Sequence, residues 1–83
     1  MSDRRLGVVG IVVENREAVP ALNRILSDHA DLIIGRMGVP CREREVSVIA
    51  LIVDGTTDAL GSLTGRLGAL RGVQVKSALA SKR

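Results

Sequence analysis

The stretch Val46 to Val53 reads Val-Ser-Val-Ile-Ala-Leu-Ile-Val, with seven apolar residues of eight and five of them β-branched. A run that short and that rich in valine and isoleucine suits a strand buried on both faces. Its one rival is Leu6 to Val13, Leu-Gly-Val-Val-Gly-Ile-Val-Val, which has the same character. Two such strands in a chain of 83 residues should lie side by side at the centre of one sheet. Everything else in the sequence has to be arranged around that pair.

The first strand is expected from about Arg5 to Glu14, after a polar start at Met1 to Arg4. A helix should begin near Arg16, because Val19, Leu22, Ile25 and Leu26 form an apolar stripe at helical spacing. Pro20 falls in its first turns, where a missing N–H costs little. The helix should end between Ser27 and Ala30. Asp31 to Gly38 reads as a shorter and more polar strand, and Val39 to Arg44 as the connection into the central strand from about Glu45. Asp54-Gly55 is a turn signal that should stop that strand. Thr56 or Thr57 suits the N-cap of a second helix running to about Leu70, closed by Arg71-Gly72. Val73 to Leu79 completes the chain as a fourth strand.

The order β-α-β-β-α-β predicts an α+β, ferredoxin-like sandwich over residues 1–83, a single domain. Its antiparallel sheet has strand order 4-1-3-2, with two helices on one face. That order puts the first and third strands in the middle, which are the two segments already marked as most buried. In the second helix Leu60, Leu63, Leu67 and Leu70 make the core stripe, while Gly61, Gly65, Gly68 and Gly72 line a nearly opposite face. Each glycine inside a helix costs about 1 kcal/mol against alanine. Either another backbone or a ligand approaches that face closely, or the helix is weak and partly exposed.

Composition limits the function. Phe, Tyr and Trp are all absent, which removes the stacking platforms that hold single-stranded nucleic acid. A net charge of +3 is too small to imply nucleic acid by itself, so no direct nucleic-acid contact is expected. No apolar run approaches the length of a membrane span, and one cysteine, Cys41, forms no internal disulfide. A cytoplasmic location without membrane contact follows as the expectation. The lone His29 suits a helix terminus, and Cys41 a connecting loop. Glu43 and Glu45 alternate with Arg42 and Arg44, as on a charge-balanced rim. Lys82 and Arg83 should approach Arg4 and Arg5 as a small basic cluster. None of these residues forms a catalytic or metal-binding constellation, and no cofactor is implied. An acylphosphatase-type enzyme would need more around Asn15-Arg16 than this loop supplies.

Two surfaces stand out. Two helices cover one sheet face only, yet both central strands are apolar on both faces. One set of alternating residues, Val9, Ile11, Val13, Ile49, Leu51 and Val53, is assigned to the open face and to the interface of a homodimer or a dimer of dimers. The second surface lies where the first strand ends and the second-to-third strand connection begins. There Glu14, Asn15 and Arg16 should approach the segment from Arg36 to Arg44, joined by Arg71 and Gly72, with Glu14, Asn15, Arg16, Gly35, Arg36, Met37 and Gly38 as a small-ligand site. Arg36 would receive a carboxylate or phosphate, and Asn15 would give directional hydrogen bonds.

Several segments, in order, also resemble a known family. Arg5-Leu-Gly-Val-Val-Gly-Ile-Val-Val-Glu-Asn-Arg-Glu-Ala-Val19, Ile33-Ile-Gly-Arg-Met-Gly-Val-Pro40, Leu51-Ile-Val-Asp-Gly-Thr56, Leu63-Thr-Gly-Arg-Leu-Gly68 and Gly72-Val-Gln-Val-Lys-Ser-Ala-Leu79 are similar to the iron-only hydrogenase system regulators. The resemblance implies an ACT-like domain, similar to the ligand-binding domain of the nickel-responsive repressor, and a non-enzymatic regulatory role. It also places small ligands at the first strand-helix loop near a subunit interface. That repressor binds nickel through several histidines and a cysteine, and with His29 and Cys41 alone this chain does not reproduce the set. A purely structural assembly module without a ligand is the alternative.

Overall fold

In a computed structural model, which describes residues 4–80, the backbone forms four strands and two helices. They are β1 (Arg4–Val13), α1 (Val19–Asp28), β2 (Ile33–Cys41), β3 (Val46–Thr56), α2 (Thr57–Gly68) and β4 (Val73–Leu79). All strand pairings are antiparallel, and the order β2-β3-β1-β4 is the expected arrangement. The α+β ferredoxin-like architecture is therefore the fold of this chain. Met1, Lys82 and Arg83 lie outside the described residues, as does the proposed basic cluster in so far as it needs them.

The strand pair at the centre is long because every residue of β1 has a partner in β3, from Arg4 opposite Thr56 to Val13 opposite Ser47. Antiparallel partners point to the same side, so the register sorts the two faces. Val9, Ile11, Val13, Ile49, Leu51 and Val53 face the helices and are buried to 8% exposure or less within one chain. Leu22, Ile25 and Leu26 of α1 and Leu60, Leu63 and Leu67 of α2 close over them. Each fully buried aliphatic side chain contributes about 2 kcal/mol. This corrects the interface expectation: those six residues already belong to the intramolecular core and are unavailable to a partner.

The boundaries differ where packing overrides a local signal. Asp54-Gly55 does not end β3, which continues to Thr56. Gly55 is a buried strand residue instead: a Cβ there would lie 2.7 Å from Leu32 Cδ2 and 3.4 Å from Leu60. The glycine lets both leucines close over the strand. Val39, Pro40 and Cys41 belong to β2 rather than to the connection. The hairpin turn is a short 3-10 segment, Arg42–Arg44, ended by Glu45 in the left-handed region at φ 56°. Thr56 does cap α2, its Oγ1 accepting from the Ala59 N–H at 3.1 Å.

Gly72 ends the α2–β4 turn at φ +77°, and a Cβ on it would lie 2.5 Å from Asn15 Cβ. The glycines of α2 are different. Cβ atoms built on Gly61, Gly65 and Gly68 meet nothing within 4 Å, so among the described residues no other segment approaches that face closely. The two groups should respond oppositely to alanine. Gly72→Ala is expected to lower unfolding stability by about 2 kcal/mol, through strain and the clash with Asn15. Gly61→Ala and Gly65→Ala should each raise it by about 0.5 to 1 kcal/mol. Urea titrations measure all three, and a Gly72→Ala protein as stable as the parent would contradict the turn geometry.

Candidate functional site

The helix side of β2 is thinly furnished. The residues that follow Ile33 on that side are Arg36, Gly38 and Pro40, opposite Leu51, Ile49 and Ser47 of β3. None of the three is a long aliphatic side chain that could fill the space between the strand and α1. A groove is left there. Its larger part, about 340 Å3, lies under the hairpin turn and is lined by Val13, Arg16, Val19, Cys41, Arg42 and Glu45, among others. A second part of about 280 Å3 continues along α1 past Leu22, Asn23, Arg36 and Ile49. The two share Val13, Val19, Pro40 and Ser47, and are one continuous depression. Its floor is aliphatic, and its walls carry three guanidinium groups and one carboxylate. Together the two parts fall in the size range of small-molecule sites.

The residues expected to form one ligand site are divided by the fold. Arg16, Arg36 and Gly38 do line the groove. Glu14 and Asn15 turn the other way, toward β4. The Glu14 N–H donates to the Gly72 carbonyl at 2.7 Å, and its carboxylate accepts from Gln74 Nε2 at 3.0 Å. Asn15 Oδ1 accepts from the Glu17 N–H at 3.1 Å, and its Nδ2 donates to the Arg71 carbonyl at 3.5 Å. Asn15 is thus a cap and a tether for the strand-helix loop. Gly35 and Met37 point to the opposite sheet face, beside Ile52 and Ala50. The register shift between Ile33 and Gly35 decides which residues of β2 face the helices.

The groove also recruits residues that sequence spacing did not single out as ligand groups, Arg42, Asn23 and Ser47. Arg42 was expected as one charge of a rim, within the segment that approaches Arg16, and not as a ligand group. Its proximity to Arg16 depends on the β2–β3 hairpin ending at the same end of the sheet as β1. The charge alternation over Arg42 to Glu45 carried no signal of that placement.

His29 and Cys41 cannot act together within one chain. His29 follows the C-terminus of α1, where its Nδ1 lies 2.8 Å from the Ile25 carbonyl. Cys41 is at the other end of β2, roughly 25 Å away for a strand of this length. Among the described residues no group of three or more His, Cys, Asp or Glu could hold a metal ion. No helix among them is long and apolar enough to cross a membrane.

The open sheet face carries the other half of the central alternation. Val8 is paired with Ile52, Gly10 with Ala50 and Val12 with Val48. Met37 and Val39 of β2 extend the surface beside Ala50 and Val48. Val8, Val48, Ile52, Val39 and Met37 are 43–66% exposed, so this side of the sheet is an uncovered aliphatic patch.

Residues 5–77 match the family model "TM1266-like: Iron-only hydrogenase system regulator, putative". The chain belongs to that family. A solved structure, an uncharacterized protein from Thermotoga maritima, is 32% identical, covers 94% of this chain and 99% of its own, and superposes with a TM-score of 0.89. The ACT domain of GTP pyrophosphokinase from Chlorobium tepidum superposes at 0.67 with 19% identity, covering 98% of this chain and 91% of its own. That likeness makes the fold of this TM1266-like chain ACT-like. Among curated relatives, a "Putative nickel-responsive regulator" of Saccharolobus islandicus is 33% identical over 67 residues. Those residues are 81% of this chain but 50% of the relative, so the chain spans about half the length of the curated proteins it matches.

The nickel response belongs to that relative's name. In this TM1266-like chain the separation of His29 from Cys41 does not fit a shared nickel ion within a subunit. Equilibrium dialysis of the untagged protein against micromolar nickel should give less than one ion per chain. Stoichiometric retention lost in both His29→Ala and Cys41→Ser would show that they do share an ion.

Proposed function

We propose that the protein is a non-enzymatic, cytoplasmic regulatory module of an iron-only hydrogenase system. It self-associates through the open sheet face and takes a small ligand in the groove between α1 and β2. The observation that carries this reading is the uncovered aliphatic face at the centre of the sheet. Val8, Val12, Val48, Ala50 and Ile52 occupy adjacent register positions on the two middle strands, with no charged side chain between them. Polar groups stand at the margins: the Arg4–Asp54 ion pair at 3.3 Å, the Gln74–Glu14 hydrogen bond, and Lys76 beside Gly10. An apolar centre with a polar rim is the anatomy of a protein interface. A surface with no central charge offers nothing to nucleic acid or to an acidic partner. Its complement is another flat aliphatic face, which a second copy supplies in an isologous pair.

The family and the regulator-named relatives support the regulatory role. Groove and face lie on opposite sides of the sheet but share β2 and β3. Gly38 and Val39 both line the groove, and Val39 also stands with Met37 on the open face. A ligand that moves β2 therefore reaches the interface through adjacent residues of one strand.

Sedimentation at micromolar concentration should give a dimer or tetramer. Replacing Val8 and Ile52 together with aspartate should leave a folded monomer, since both side chains point away from the core. A monomeric parent protein would sink the assembly. Mass spectrometry of protein purified under native conditions tests the ligand, and a bare parent chain would favour an assembly module alone.

A further inference from the structure

The groove specifies a kind of ligand. Resting on the reading that this groove is a ligand site, we infer that it binds a small aliphatic organic acid with two separated anionic groups, carboxylate or phosphate. Three guanidinium groups reach it from three different segments: Arg16 from the turn before α1, Arg42 from the hairpin turn, and Arg36 from the middle of β2. Arg16 and Arg42 line the end under the hairpin, and Arg36 lines the part that continues along α1. None of the three makes an ion pair among the described residues, whereas Arg4 is paired with Asp54 and Arg66 with Asp28. One carboxylate, Glu45, also lines the hairpin end and lowers the local excess of positive charge without cancelling it. Guanidinium groups bind carboxylate and phosphate oxygens through two parallel hydrogen bonds, so cations at two stations favour a ligand anionic at both ends.

The floor between the stations decides the body of the ligand. It is built from Val13, Val19, Leu22, Pro40 and Ile49. A short aliphatic chain suits that floor, with Asn23 and Ser47 as neutral partners for a hydroxyl or carbonyl group. A nucleobase is poorly served, because the chain has no aromatic residue to stack on it. An extended peptide added to the edge of β2 is poorly served too. The bulge between Ile33 and Gly35 interrupts the edge, and Pro40 has no N–H to give.

The test uses the full-length protein, with glutarate and phosphoglycolate as two-headed probes, and butyrate and inorganic phosphate as one-headed ones. Ionic strength is held constant with sodium chloride. Calorimetry should show a two-headed probe binding at least about tenfold more tightly than either one-headed probe. Val13, Val19 and Leu22 methyl resonances should move on binding. Preference for glutarate or phosphoglycolate then tells carboxylate from phosphate. Arg36→Gln, and separately Arg16→Gln with Arg42→Gln, should weaken binding about tenfold or more, while Arg71→Gln, outside the groove lining, should not. Equal weakening by Arg71→Gln, or one-headed probes binding as well as two-headed ones, would overturn the inference. So would an acidic peptide that binds along β2 while neither two-headed acid binds. A neutral or cationic molecule retained on native purification, with no acid bound, would refute the anionic class and leave the ligand reading standing. If nothing is retained and no probe binds, both fall.

Discussion

The pairing of β1 with β3 is the constraint on which the rest of the structure depends. It runs the whole length of β1, and it sets on one side a continuous aliphatic surface from Val9 and Leu51 outward. Both helices are held by that surface. Leu22 and Leu60, Leu63 and Leu67 are buried because the two central strands give them one flat surface to close on. Neither helix would be stable alone at ten to twelve residues, and α2 less so with its exposed glycines. Tertiary burial, not helix propensity, holds α2 in place.

The same pairing creates the open face and one wall of the groove. A strand that satisfies the core on one side must point its alternate residues to the other, so a sheet of valines and isoleucines with helices on one side keeps an aliphatic back. The edge strand is different. Beyond Ile33, β2 gives the helix side an arginine, a glycine and a proline, and α1 has little there to pack against. The groove exists because this strand does not complete the core. Open face and groove are therefore two consequences of one sheet, joined by the strand that borders both.

Much of this was readable in the residues, but unevenly. The four strands and their order follow from the two valine-rich runs and the βαββαβ succession. Thr56 acts as the expected cap because a side-chain oxygen before an N-terminus has few other roles. Gly55 was misread because a glycine after an aspartate marks a turn equally well as a place where leucines crowd a strand. Of the residues expected to form a ligand site, Arg16, Arg36 and Gly38 line the groove, but Asn15 is occupied in capping its own loop and Met37 points to the other face. That Arg36 and Met37 face opposite sides follows from strand alternation alone; which of them faces the helices depends on the register shift at Ile33–Gly35, which the sequence only hinted at through its glycine.

By itself the sequence determined the sheet, because only buried central strands account for two β-branched runs in so short a chain. It also determined that the protein has an apolar surface beyond its own core, since two helices cannot cover both faces. Which face that is, only the tertiary structure decided. Both alternating sets are aliphatic, and the one signal that separates them is small: Ile11, Ile49 and Leu51 on the helix side are bulkier than Gly10, Val48 and Ala50 on the other. The strand order already placed the strand-helix loop and the second-to-third strand connection at one end of the sheet, and so Arg16 near the segment from Arg36 to Arg44. That Arg16, Arg36 and Arg42 line one groove while Glu14 and Asn15 turn to β4 was decided in three dimensions, by the register of β2 and by the hydrogen bonds of that loop.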